Sequence, residues 1–402
     1  MHSGKSLNIL FCHNQYQQRS GEDVAFDFAV RLLREDGHRV SVYSRSNLEI
    51  ERFSLADKLL FPLHTVYSRA ERKRIHEFVG AEHPSVAIVQ NVFPLLSPSL
   101  YYGLADTGVP IVQLVFNYRL LCANGLLFTE GEICERCLGG NHLHGVLHRC
   151  CRDSYAVSAL YSAAVGIHRW MGTWTRLVTL FVTPDVFLKE KLVLGRIPED
   201  RIRVVSNPFE VSATLPRFTY GDYALFVGRL IRAKGIFTLL EASLQLEGRR
   251  VVIAGDGEDA NLVRSHPAVL AGKAEFVGPT YGERFTELMD KAAFVVVPSE
   301  WYDNLPMIVC QAFAAGKPVL ASRINGIPEF VSHEENGLLF SPGNLSELAS
   351  CMRRIFSDEV LRDKLGRGAR RTAETVLSPM VWRNKINSVI EEAVSLHSDQ
   401  NQ

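Results

Sequence analysis

Short apolar runs alternate with stretches of helical period along almost the whole chain. Leu7 to Phe11 is a continuous apolar run of the kind a buried strand needs. A polar loop follows to Gly21, and Val24, Phe28 and Leu32 then recur at helical spacing until Gly37 stops the helix. Arg39 to Tyr43 reads as the next strand, and Val86 to Val89 and Ile111 to Val115 as two more, each preceded by a proline or glycine turn and each leading into a polar loop. A second series begins at Tyr223 to Val227 and continues with strands at Val251 to Ala254, Phe294 to Val297 and Val319 to Ser322. Helices are predicted between them around Phe237 to Ser243, Arg284 to Ala292 and Met307 to Ala315. Such alternation predicts α/β architecture, with parallel sheets covered by helices on both faces. A chain of 402 residues exceeds what one core usually supports, and the irregular, proline-bearing text from Asn207 to Tyr220 is the expected linker. The reading gives an N-terminal domain over 1–208, a C-terminal domain over 209–380, and a final helix and tail over 381–402 able to pack back on the first domain. In open parallel sheets ligands bind at strand carboxyl ends, so Asn91 to Ser97 and Asn117 to Asn124 are candidates for lining a cleft.

Composition changes the picture in three places. Lys plus Arg equals Asp plus Glu at 44 each, which gives no basic excess and argues against a nucleic-acid partner. Met1 to Ser6 carries no apolar signal core and no stretch reaches the roughly 18 apolar residues of a spanning helix, so a cytoplasmic protein is expected. Basic residues Arg69, Arg72, Lys73 and Arg74, and the mixed run Ala163 to Phe181 with Trp170, Trp174, Arg169 and Arg176, would suit peripheral contact with an anionic membrane. They would equally suit a solvated helix face and a core helix. Finally, Cys122, Cys134, Cys137 and Cys150 form a C-x11-C-x2-C-x12-C array, suited either to a structural zinc site or to buried, unligated thiols. Cys151, His142, His144 and His148 are spare ligands.

The chemistry concentrates in two loops of the second half. Between the strand at 223–227 and its helix lies Gly228-Arg229-Leu230-Ile231-Arg232-Ala233-Lys234-Gly235, in which Arg229 and Lys234 place two cations where a diphosphate can be held. After the strand ending at Val297 come Pro298-Ser299-Glu300-Trp301-Tyr302-Asp303-Asn304-Leu305-Pro306 and a helix, whose free N-terminal amides can meet phosphate oxygens or sugar hydroxyls. With Ala254-Gly255-Asp256-Gly257, Val277-Gly278, Ile327-Pro328-Glu329 and Asn336-Gly337-Leu338-Leu339-Phe340, these segments resemble the C-terminal domain of glycosyltransferase family 4.

That resemblance implies a GT-B fold of two Rossmann-like, doubly wound domains facing a cleft, a nucleotide diphosphate sugar as donor, no cofactor for catalysis, and retention of anomeric configuration. It places Arg229 and Lys234 on the diphosphate, Asn304, Leu305 and Pro306 near sugar or phosphate, and base recognition on backbone around Gly278. Asp303 and Gln311 stand where the family usually carries two glutamates eight positions apart, one near the donor sugar and one on the ribose. The catalytic set is therefore Asp303, Arg229 and Lys234. The N-terminal half is similar to one branch of the same family through Ser20-Gly21-Glu22-Asp23-Val24, Asn91 to Pro98 and Asn117-Tyr118-Arg119-Leu120-Leu121-Cys122. The branch would bring Gly21, Phe116, Asn117 and Tyr118 to a glycan or lipid-linked acceptor. It normally has histidine where this chain has Phe116, and a phenyl ring makes none of the hydrogen bonds of imidazole. A catalytically silent GT-B protein that binds a nucleotide sugar or a partner transferase is the alternative, and a sugar-nucleotide epimerase a third.

Overall fold

The computed structural model describes residues 6–400 except 19, 208, 212–215 and 217. Of the expected linker at 207–220, residues 208, 212–215 and 217 thus fall outside the described residues. Up to residue 204 the strands are β1 (Asn8–Gln15), β2 (Arg39–Ser46), β3 (Val86–Val89), β4 (Ile111–Leu114), the dipeptide strands β5 (Phe128–Thr129) and β6 (Glu132–Ile133), β7 (Leu180–Thr183) and β8 (Ile202–Val204). Beyond it come β9 (Tyr223–Val227), β10 (Arg250–Ala254), β11 (Ala274–Gly278), β12 (Ala292–Val297), β13 (Val319–Ser322) and β14 (Gly337–Phe340).

Two compact units result, one holding the described residues of Met1–Glu130, Cys134–Pro208 and Pro379–Gln402, the other those of Gly131–Ile133 and Phe209–Ser378. Each contains a six-stranded parallel sheet, ordered β2-β1-β3-β4-β7-β8 in the first and β11-β10-β9-β12-β13-β14 in the second. Strand order reverses between β1 and β3 and again between β9 and β12. At such switch points the loops diverge to opposite faces and leave a crevice at the carboxyl edge. Strands β3 and β4 are buried on both faces, which explains why their text is nearly all apolar instead of alternating.

The first helix, Gly21–Glu35, starts at a capping box in which Ser20 and Asp23 satisfy each other's backbone amides. It buries Phe26, Ala29, Val30 and Leu33, while Val24 of the predicted stripe is exposed. The face is set by the sheet it covers and by a second neighbour. Helix Pro379–Gln400 brings Trp382, Ile386, Val389 and Ile390 into the same core as Ile9, Phe11, Val86 and Val112. The run Ala163 to Phe181 is broken three ways: helix Tyr155–Trp170 leaves Trp170 exposed, the short helix Thr173–Leu177 buries Trp174, and β7 follows. Among the described residues no helix is long and apolar enough to cross a membrane.

In the second unit Lys317, almost fully buried, donates to the carbonyls of Thr219 and Asp290 at 2.6 Å and of Ala292 at 3.1 Å. Burial pulls its ammonium from 10.5 down to about 8. Lys317→Met should cost about 1–3 kcal/mol by leaving these carbonyls unpaired. Between pH 8 and 10.5 the unfolded chain keeps a proton that the folded chain has released, so stability of the parent relative to the variant should rise with pH across that window. Denaturant melts of both proteins at several pH values test this, and a flat difference refutes it.

Candidate functional site

The loops after β9 and β12 leave the carboxyl edge side by side, because these two strands are neighbours at the second unit's switch point. After β9 the chain runs through Gly228 and Arg229 into a 3-10 turn, Arg232–Lys234, and into helix Ile236–Leu244. Gly235 between them takes a φ of 69°, and a Cβ there would stand 1.8 Å from the carbonyl oxygen of Pro298. The backbones are stitched directly, with the Glu300 amide donating to the Ala233 carbonyl at 2.9 Å.

This contact brings the expected side chains together. Lys234 Nζ forms an ion pair with Asp303, whose carboxylate also accepts from Ser299 Oγ at 3.0 Å. Trp301, buried under the loop, offers its ring to Lys234 Nζ at 5.5 Å and to the Arg229 guanidinium at 6.0 Å. Arg229 itself is exposed and makes no ion pair among the described residues. Leu305 and Pro306 are buried beside the start of helix Met307–Ala314, on which Gln311 is half-buried. Gly278 ends β11 with a φ of 76°, and its carbonyl accepts from the Gly255 amide at 3.0 Å. Trp301 was not among the expected site residues; its place in the quoted Pro298-to-Pro306 run, two residues before Asp303, was the available signal.

In the first unit the residues expected near an acceptor fall into two groups. Asn117 Nδ2 donates to Glu22 Oε1 at 2.8 Å, Tyr16 donates to the other carboxylate oxygen at 3.2 Å, and Gln90 Nε2 holds the Glu22 carbonyl at 2.9 Å. Glu22, Asn117, Phe116 and Arg119 line one small cavity with Gln90 and Asn91. Tyr118, by contrast, is buried, so its ring supports the loop instead of facing a ligand. Phe116 packs on the core formed by β1, β4 and helix Pro379–Gln400. Glu22 is the residue that sequence reasoning passed over, although it stood in the quoted Ser20-to-Val24 run.

Residues 212–372 match the family glycosyl transferases group 1. The matched segment contains both of these loops and every side chain just described in the second unit. An uncharacterized glycosyltransferase of Methanocaldococcus jannaschii is 29% identical over 257 residues, 59% of this chain; the chain spans 63% of that relative's length. Two solved structures extend the likeness to nearly the whole chain. Anabaena HepE in complex with UDP has a TM-score of 0.68 at 14% identity, covering 96% of this chain and 100% of that one. A glycosyltransferase from Rickettsia africae has a TM-score of 0.69 at 16% identity, covering 97% and 99%. The chain has the GT-B fold.

The cysteine segment departs from expectation. Cys122, Cys134, Cys137 and Cys150 line one cavity of about 10 Å³ with His144. Yet among the described residues no three His, Cys, Asp or Glu side chains are grouped as a metal ion requires. Two of the thiols form hydrogen bonds instead, Cys122 Sγ donating to Asn124 Oδ1 at 3.0 Å and Cys150 Sγ to Thr129 Oγ1 at 3.5 Å. Of the spare ligands, His148 is engaged by Glu130 at 3.0 Å, and burial pulls His142 down to about 4. The expected zinc thus finds no support here. Burial, followed by the neighbouring thiols Cys122, Cys150 and Cys134, pushes Cys137 up to about 12. In the native protein at about pH 8 Cys137 should therefore resist iodoacetamide and label readily only after denaturation. Rapid native labelling, read by peptide mass spectrometry, would show that the thiol is neither buried nor neutral.

Proposed function

We propose that the protein is a retaining glycosyltransferase that takes a sugar from a nucleotide diphosphate donor held on the second unit and passes it to a glycan or lipid-linked acceptor. The observation that carries this is the pairing of an uncommitted Arg229 with Lys234 at the carboxyl edge of two neighbouring strands, over a buried indole. Guanidinium and ammonium groups fixed there suit a diphosphate. As the bond from the anomeric carbon to the diphosphate oxygen breaks, its electron pair leaves with the phosphate, and both cations stabilise the charge that develops. Asn304 and Leu305 amides would meet the sugar or phosphate, Gln311 the ribose, and backbone near Gly278 the base. HepE was solved with UDP, which supports a uridine nucleotide as the first donor to try.

Arg229→Ala with Lys234→Ala should abolish donor binding while leaving the melting temperature close to the parent's. Calorimetry with UDP and UDP-sugars reads this, and unchanged affinity in the double variant removes the assigned donor site.

Phe116 favours a second reading, a GT-B protein that binds donor without turnover. If the histidine it replaces chiefly oriented the sugar, its loss costs one or two neutral hydrogen bonds, each about 0.5–1.5 kcal/mol, and slows transfer without ending it. Phe116→His should then raise nucleotide diphosphate release from a donor that both forms bind. Binding by both with release by neither would establish the binding-only reading.

A further inference from the structure

We infer that Arg119 anchors a ligand site in the first unit for an anionic sugar, a hydroxyl-bearing molecule that carries a phosphate or carboxylate group. Arg119 follows β4 in a turn where its amide donates to Asn117 Oδ1 at 2.9 Å. Its guanidinium packs over two aromatic faces, 6.0 Å from the Phe93 ring centre and 5.7 Å from that of Tyr161. Gly125 closes a further side: a Cβ there would lie 3.4 Å from Arg119 Nη2, and its φ of 74° favours glycine. Among the described residues the guanidinium makes no ion pair and no hydrogen bond, and its Nε is buried. Other arginines of the fold commit their donors to carbonyls. Arg169 donates to those of Cys137, Leu138 and Gly195 at 3.1, 2.9 and 3.0 Å, and Arg362 to those of Ile355 and Phe356. Aromatic faces steady a cation without using its N–H groups, so Arg119 keeps its five side-chain donors.

A second group on the same cavity is also unmatched. Gln90, 5% exposed, gives its Nε2 to the Glu22 carbonyl, while its Oε1 is buried and receives no hydrogen bond among the described residues. Glu22, the carboxylate on this cavity, already accepts from Asn117 and Tyr16 and forms no ion pair with Arg119 among the described residues. The cavity therefore presents unused donors on a cation and one unused acceptor, around a space of about 20 Å³ that admits an oxygen-sized group. A water molecule could meet both polar atoms but brings no charge, and a guanidinium withdrawn from water without a counter-charge is costly. A ligand that satisfies the whole arrangement carries an anionic oxygen for Arg119 and a hydroxyl proton for Gln90. Sugar phosphates and sugar acids have both. Within the proposed transfer such a ligand is the acceptor, so the inference extends that reading; binding measured without any donor keeps the two separable.

The test is calorimetry on the full chain carrying Arg229→Ala and Lys234→Ala, so that anions held by the second unit's cations do not register. Glucose 6-phosphate, glucuronate, glucose and sulfate are titrated in turn. At least one of the two anionic sugars should bind, and the tighter of them tells phosphate from carboxylate. Glucose lacks the charge and sulfate lacks the hydroxyl, so each should bind at least roughly tenfold more weakly. Adding Arg119→Met should lower affinity for the anionic sugar by roughly tenfold or more. It should also leave the ligand-free melting temperature at or above that of its background, because it removes an unpaired charge. Arg119→Lys, which keeps the charge without the planar fork, should retain part of the affinity. Binding of neither anionic sugar, equal binding of glucose or sulfate, or undiminished binding after Arg119→Met would each overturn the proposal. So would a melting temperature several degrees lower in Arg119→Met, which would assign the guanidinium to the fold alone.

Discussion

The candidate site of the second unit depends on the backbone of Gly235 passing the Pro298 carbonyl with no atom to spare. A Cβ at 235 would lie 1.8 Å from that oxygen and 2.7 Å from its carbon, and the backbone there is left-handed, so no other residue fits without moving a loop. The same economy recurs one strand along, where Gly255 passes the Gly228 carbonyl, a Cβ standing 1.9 Å from its oxygen. The parallel register then determines height, since Leu225 of β9 is level with Val295 of β12 and the two loops leave the sheet together. Lys234 and Asp303 are 69 residues apart in sequence, and it is this close passage that makes them neighbours.

The strands at 86–89, 223–227 and 319–322 were legible to the residue because each is a largely apolar run, buried except at Val227, bounded by turn residues. What escaped was structure whose cause is non-local. Strand β7 hides in a stretch that composition reads as amphipathic and basic, and only pairing with β4 and β8 makes Leu180–Thr183 extended. The buried face of helix Gly21–Glu35 is rotated from its predicted stripe because helix Pro379–Gln400, more than 300 residues away, supplies part of the wall. Four cysteines at finger-like spacing were legible as a group and do line one cavity, but spacing fixes neither the direction of a thiol nor its charge.

A candidate site residue stands out in the sequence where its charge has no ion partner in the fold. Arg229 is exposed without an ion partner among the described residues, and that is what makes it a candidate for holding a ligand. Glu22 was harder, because a carboxylate in the first turn of a helix has an ordinary explanation in the helix dipole. Its bonds to Asn117 and Tyr16 come from loops elsewhere in the unit, and they turn an expected helix-start acid into the centre of a polar network.

The Lys234–Asp303 pair can be read in two opposing ways, and magnitudes decide between them. As a competitor, Asp303 offsets the positive charge a diphosphate would meet; two unit charges about 4 Å apart at an effective dielectric near 20 attract by about 4 kcal/mol. As a support, it removes rotamer freedom from a long side chain, which costs up to about 2 kcal/mol when a ligand must impose it. Competition would dominate if Lys234 were the only cation and had to abandon Asp303. It need not: an ammonium carries three donors, Asp303 takes one, and Ser299 continues to satisfy the same carboxylate at 3.0 Å. Arg229 meanwhile retains its full charge beside the same indole. Under the proposed donor assignment, attraction therefore falls to Arg229 and aim to Lys234.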